Sequence, residues 1–140
     1  MEVRYLIMAR YAEFGADGKV TIVGGDIEKI FSDVFPAVHP VLLAAARLVL
    51  DREDTLSDHS FRSDICTSDG EQITEGVSGT INGVEMPVEM SQLGIGIVLT
   101  FGNVVFPKAG WYKMVLYVDD LPRKEFPFRA MTRADEQVLA

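Results

Sequence analysis

The chain has 140 residues, of which 48% are hydrophobic and 24% charged, the usage of an ordinary globular domain rather than of a disordered or membrane chain. Its net charge of −8 opposes the phosphate neutralisation on which nucleic-acid binding depends, so we expect no nucleic-acid partner. The lone Cys66 cannot form an internal disulfide. Near the start of the chain, residues 5–9 form an uncharged run between Arg4 and Arg10 that is too short for the apolar region of a signal peptide or for a membrane span. These features predict a cytoplasmic protein with no membrane partner.

The N-terminal segment predicts a β-hairpin. Residues 3–11 alternate in a way typical of a long strand, and apolar residues on both sides of its middle indicate burial on both faces there. Gly15 and Gly18 supply turn residues, and the β-branched run at residues 20–23 predicts an antiparallel return strand that ends at Gly24 and Gly25.

Residues 26–50 are harder to interpret. The spacing of apolar residues between Ile27 and Phe35 is helical, but Pro36 limits any helix to one or two turns. Residues 41–50 fit both a strand face and a helix face. We favour a strand, because Pro36 and Pro40 bracket an extended approach and Asp51 begins a polar break.

Residues 51–92 predict a second hairpin between two loops. A charged loop at residues 51–58 precedes a strand, and Asp69-Gly70 is a two-residue hairpin signal. The return strand carries Ile73, Val77 and Ile81, and residues 82–92 are predicted to be a loop. Strand order is least determined in this part of the chain.

The run at residues 93–106 contains no charged residue. It predicts a strand with one large apolar face toward the core, formed by Leu93, Ile95, Ile97, Leu99 and Phe101. The opposite face is flat, and an uncharged, glycine-rich strand would promote aggregation if it were left uncovered on an edge. We expect residues 82–92 or a second subunit to cover it, and we favour a homodimer. The candidate interface residues are Gly94, Gly96, Val98, Thr100 and Gly102.

Two further strands are predicted at residues 111–118 and 123–130, and Pro127 indicates that the second is an edge strand. The whole pattern predicts an all-β fold, an antiparallel β-sandwich of seven to eight strands, Ig-like or jelly-roll-like, with at most one or two short helical turns. We expect one domain over residues 1–130, and a frayed or short helical tail at residues 131–140.

Several segments carry a resemblance to a known family: residues 18–25 (GKVTIVGG), Ile30-Phe31, Phe35-Pro36, His39-Pro40, and residues 106–112 (FPKAGWY), 116–119 (LYVD) and 127–129 (PFR). In these segments the chain resembles a family of uncharacterised bacterial β-sandwich proteins classed only as a domain of unknown function. The similarity spans nearly the whole chain and is weakest over residues 51–92. The resemblance implies a β-sandwich, and it implies no activity.

The sequence offers no assembled catalytic or metal-binding motif. His39 and His59 are too few for a zinc site without carboxylates, and we expect His39 to order its turn and His59 to lie on the surface. The acidic residues of the loop at 51–58 lack the EF-hand spacing. Cys66 has no basic neighbour that would activate it, and we expect it to be a small buried residue. We therefore predict no catalytic residue, no cofactor and no metal.

Aromatic residues suggest an alternative. Trp111, Tyr117 and Tyr5 would stack a sugar or another flat ligand if they shared one exposed sheet face, although packing at the sandwich rim explains them as well. The leading hypothesis is a non-catalytic interaction or structural domain, and the alternatives are a small-molecule or carbohydrate-binding sandwich and a hydrolase that uses the acidic loop. Separately, we expect the ring of Tyr112 to be buried and its hydroxyl to bind a backbone group across the end of the sandwich.

Overall fold

Nine β-strands and one 3-10 turn lie within residues 1–134, the part of the chain that this computed structural model describes, and Arg133 and Ala134 at its end are helical. The 3-10 turn spans Asp54–Leu56. The strands are β1 (Glu2–Phe14), β2 (Val20–Gly25), β3 (Lys29–Phe31), β4 (Ala37–Asp51), β5 (His59–Thr67), β6 (Val77–Ile81), β7 (Gln92–Phe106), β8 (Gly110–Val118) and β9 (Leu121–Met131).

The strands form two sheets that pack face to face. One sheet has the order β2-β1-β4-β7, and the other has the order β3-β9-β8-β5-β6. Every pairing is antiparallel except that of β3 with β9, which is parallel. The predicted all-β, sandwich-like fold is confirmed, with nine strands among the described residues rather than seven or eight.

The core lies between the sheets and follows the two-residue period of the strands. Inward side chains of β4 alternate with outward ones, and those inward residues contribute to one cluster with inward residues of β1, β5, β7, β8 and β9. Among the largest fully buried side chains are Met8, Leu48, Ile65, Leu99, Phe106, Met114, Leu116 and Phe128.

The prediction for residues 41–50 is confirmed, since they lie within β4. The helical turns predicted before them are wrong, because Ile30 is buried by pairing with Ala130 of β9. Val34, which a helix would turn inward, is 71% exposed. The partner of β3 comes from the far end of the chain, so local spacing does not reveal it.

Two other predictions hold only in part. Strand β9 is an inner strand where β3 covers Arg129 to Met131, and it is a sheet edge at Pro127, as expected. The return strand after Asp69-Gly70 begins only at Val77, because residues 72–76 form a loop with a single bridge from Gln72 to Cys66. Met131, assigned to the predicted tail, is buried in β9, and residues 135–140 of that tail lie outside the described residues.

Strand β1 belongs to two layers. Ala9 pairs with both Gly25 of β2 and Leu43 of β4, and beyond it β1 leaves β4 and continues with β2 alone. The resulting hairpin lies over the outer face of its own sheet: the carbonyl oxygen of Gly18 accepts a hydrogen bond of 3.2 Å from Nη1 of Arg47. Ala45 lies on this outer side of β4 and is nevertheless fully buried, and it is not part of the core cluster.

Candidate functional site

The candidate site is the free edge of β7. This strand pairs with β4 along its whole length, from Gln92 opposite Asp51 to Phe106 opposite Ala37. Its other edge pairs with no strand among residues 1–134, and no turn or loop backbone in that part of the chain hydrogen-bonds to it. The outward backbone donors and acceptors of this edge therefore have no hydrogen-bond partner in the described part of the chain.

This edge has few of the features that normally protect one. Natural sheets protect their edges with short strands, charged residues, proline or bulges. The other edge strands are short, since β3 has three residues, β6 five and β2 six, and the uncovered part of β9 carries Pro122 and Pro127. Strand β7 has fifteen residues without charge or proline, and its irregularity is confined to Asn103, where φ is 49°.

The core-facing side of β7 is as predicted. Ile97, Leu99 and Phe101 are buried between the sheets. Leu93 and Ile95 face the same way but are only half-buried, and of the two Ile95 packs against the core cluster. The apolar face of β7 is therefore incompletely covered at the end where the strand begins.

The flat side of β7 is divided by the β1–β2 hairpin. A Cβ atom on Gly96 would collide with the ring of Phe14, and one on Gly94 would lie 2.8 Å from Nη2 of Arg47. Val98 is half-buried. Thr100 and Gly102 are exposed, and a Cβ atom on Gly102 would meet no atom within 4 Å. Within residues 1–134, side chains of the same chain therefore approach the first part of the predicted interface, where Gly94 and Gly96 are still exposed, and none approaches Gly102 in the second part.

A cleft runs beside the open half of the edge. It has a volume of about 390 Å³ and lies between residues 73–77 and residues 100–103. Ile73 and Val77 on its far side are half-buried and contact the core. An extended segment entering this cleft would meet the backbone of β7 directly, which is the geometry of strand addition.

The aromatic residues do not form one stacking surface. Trp111 and Tyr117 share the outward face of β8, six residues or about 20 Å apart, whereas Tyr5 lies in the other sheet. Each ring on β8 already contacts an arginine: the guanidinium carbon of Arg129 lies 5.7 Å from the Trp111 ring centroid, and that of Arg62 lies 4.0 Å from the Tyr117 ring centroid. Trp111 is nevertheless 55% exposed.

The acidic residues form a structural contact that the sequence did not predict. His59, expected on the surface, has a side chain only 12% exposed, and it lies between Asp119 and the backbone of Asp54. The hydrogen bond from His59 lowers the pKa of Asp119, and the backbone N–H of Asp51 lowers that of Asp54. A general acid would require the opposite shift. Among residues 1–134, no three His, Cys, Asp or Glu side chains are placed to hold a metal ion.

These features define an all-β, sandwich-like domain with one long uncharged edge. A family of unknown function, DUF6941, matches residues 4–131, and the chain belongs to that family. No curated protein and no solved structure matches the chain. Within the described residues, no helix is long and apolar enough to cross a membrane.

Proposed function

We propose that this domain is a non-catalytic interaction module that binds by strand addition at the free edge of β7, and that its partner is a second copy of the chain. The observation that carries the proposal is that β7 has fifteen residues without charge or proline and that its edge opposite β4 has no backbone partner among the described residues. Strand addition supplies a ladder of backbone hydrogen bonds, each contributing about 1 kcal/mol net.

The lack of charge on β7 is compatible with a second copy as the partner, although the net charge of each copy opposes association. Each copy carries a net charge of −8, and the uncharged β7 is where two acidic molecules approach with the least repulsion. An antiparallel pair of identical strands is related by a twofold axis, the commonest symmetry of homodimers. Such pairing would join the four-stranded sheet of one copy to that of the other and cover the half-buried side chains of Leu93 and Ile95.

Buried, free Cys66 fits a reducing compartment such as the cytoplasm.

The test is the oligomeric state of matched lysine variants, measured by light scattering after size-exclusion chromatography. Thr100→Lys places a charge on the exposed, open half of β7, and Val98→Lys places one at its half-buried middle. Thr80→Lys is the control, because Thr80 is equally exposed on the edge strand β6 of the other sheet. We expect a dimeric wild type, a monomeric Thr100→Lys variant and a dimeric Thr80→Lys variant.

A wild type that remains monomeric at millimolar concentration would contradict the proposal. So would a dimer that Thr100→Lys leaves intact, or one that Thr80→Lys dissociates. Near-ultraviolet circular dichroism of each variant separates loss of association from loss of the fold, and Thr100→Lys should retain the wild-type spectrum because its side chain points into solvent.

Carbohydrate binding at Trp111 is a second candidate. Its ring is exposed, and it lines a cleft of about 530 Å³ together with the polar side chains of Asp69, Glu71 and Lys108. Stacking of a sugar on the indole would change the fluorescence of Trp111, which is the one tryptophan of the chain. Titration with malto- and cello-oligosaccharides tests this candidate, and unchanged emission at tens of millimolar would exclude those sugars.

A further inference from the structure

The separation of β1 from β4 opens a cavity. Their last pair is Ala9 with Leu43, and beyond it residues 37–42 of β4 pair only with β7 among the described strands. Strand β3 lies on the other side of the opening. The space between them is partly open to solvent and has a volume of about 370 Å³, within the range of small-molecule sites.

The lining of this cavity combines apolar walls with cationic residues. The apolar part comes from β1, the segment before β3, β3 itself and β4. Arg10, Lys29 and His39 complete the lining, to which residues 1–134 contribute no carboxylate. The apolar residues are Ala9, Ile27, Ile30, Phe31, Val41 and Leu42.

The charge of this lining is unusual for the molecule. Three other clefts each contain at least one acidic residue: Glu75 in the cleft beside β7, Asp69 and Glu71 in the cleft at Trp111, and Asp51, Glu53 and Glu89 in a third. The cavity between β1, β3 and β4 instead gathers two cations in a protein of net charge −8. Neither Arg10 nor Lys29 forms an ion pair within residues 1–134.

We propose that this cavity binds a small carboxylate with an apolar body. The apolar residues would take the body, and Arg10 and Lys29 would bind the carboxylate through charge-assisted hydrogen bonds. His39 is a neutral donor or acceptor for the same head group, because burial lowers its pKa. The inference does not depend on association through β7, since the cavity lies on the opposite side of β4.

The test uses phenylacetate, with phenylacetamide as the neutral analogue and acetate as the head group without the body. The chain has two histidines, so their Hε1 signals in proton NMR report on two places at once. We expect phenylacetate to shift the His39 signal saturably and to raise the pKa of His39, while the His59 signal stays in place. Phenylacetamide and acetate should bind at least about tenfold more weakly.

Variants identify the cationic residues. Arg10→Gln and Lys29→Gln, made separately, should each weaken phenylacetate binding about threefold or more. The controls are Arg4→Gln and Lys124→Gln, which remove exposed cations of β1 and β9 outside the cavity and should leave binding unchanged. The absence of a saturable His39 shift would overturn the proposal, as would equal binding of phenylacetamide or equal losses in the control variants. Circular dichroism checks that each variant is folded.

Discussion

Nδ1 of His59 lies 2.6 Å from Oδ2 of Asp119, and Nε2 of the same ring lies 2.6 Å from the carbonyl oxygen of Asp54. Both partners are hydrogen-bond acceptors, so the imidazolium form of the ring is the one that can donate to both of them. The bond to Asp119 is the main reason why the pKa of His59 is raised. Since Asp54 follows β4 and Asp119 joins β8 to β9, this side chain ties together the ends of the two sheets.

Replacement of His59 should change how stability depends on pH. A raised pKa in the folded state gives stabilisation that is complete below the unfolded value of 6.5 and is lost as the pH rises through the folded value. The wild-type free energy of unfolding should therefore fall as the pH increases above 6.5. His59→Gln should lose about 1 to 2 kcal/mol at pH 6 and lack this fall. Urea denaturation between pH 6 and pH 9 measures both effects.

His39 should have the opposite effect, and His39→Gln is the matched variant. Burial lowers the pKa of His39, so protonation opposes folding and stability decreases as the pH falls below 6.5. We expect His39→Gln to reduce that acid-side decrease and to retain the wild-type slope above pH 6.5. Parallel profiles for the two variants would contradict the assignment of the two histidines.

Tyr112→Phe should lower the free energy of unfolding by about 1 kcal/mol. The ring of Tyr112 is buried, as expected from the sequence, and its hydroxyl donates a hydrogen bond of 2.6 Å to the carbonyl oxygen of Lys108 in the turn between the sheets. Phenylalanine keeps the ring contacts with Phe106 and Phe128, and it removes this bond together with the weaker one of 3.4 Å that the hydroxyl accepts from the backbone N–H of Lys108. An unchanged urea midpoint would mean that the hydrogen bond contributes nothing net.

Tyr5→Phe should have the reverse effect. The hydroxyl of Tyr5 is buried and has no hydrogen-bond partner among the described residues. Removing an unsatisfied buried hydroxyl should leave stability unchanged or raise it by up to about 1 kcal/mol. The same urea titration compares the two tyrosine variants directly, and a loss as large as that of Tyr112→Phe would show that the Tyr5 hydroxyl is bonded.

Gly96→Ala should destabilise the fold by roughly 1 to 3 kcal/mol, because the new methyl group collides with Phe14 of the hairpin above it. Gly102→Ala is the control on the same strand. Its methyl group meets no atom within 4 Å, so it should be neutral or stabilise the strand by about 0.5 kcal/mol. Thermal unfolding of both variants measures the difference.

A double variant tests the cause of that loss. If Phe14 is the obstacle, then Phe14→Ala should remove most of the additional cost of Gly96→Ala, and the two changes should not be additive. Additive losses would show that the hairpin does not lie on Gly96 in solution.

Local patterns predicted much of this fold. Alternation identified the core face of β7 at Ile97 and Leu99, and the turn glycine before Tyr112 predicted its buried ring and bonded hydroxyl. Contacts between distant segments were not predictable in this way. Three such features depend on tertiary packing: the pairing of Ile30 with Ala130, the contact of Phe14 with Gly96, and the position of His59. Isoleucine, phenylalanine and histidine also occur in ordinary loops, so their presence in the sequence does not indicate these contacts. The cavity beside Ala9 was missed for the same reason.

The parallel pairing of β3 with β9 has a consequence for biosynthesis. Lys29 lies opposite Arg129, and Phe31 lies opposite Met131. Strand β3 is therefore synthesised early but cannot pair until β9 has been synthesised. A ribosome completes β9 after every other described strand. Until then Ile30 of the nascent chain lacks its pairing partner, and neighbouring nascent chains are its nearest alternative partners. Folding of this domain is therefore completed only when translation of residues 129–131 is done and they have emerged from the ribosome.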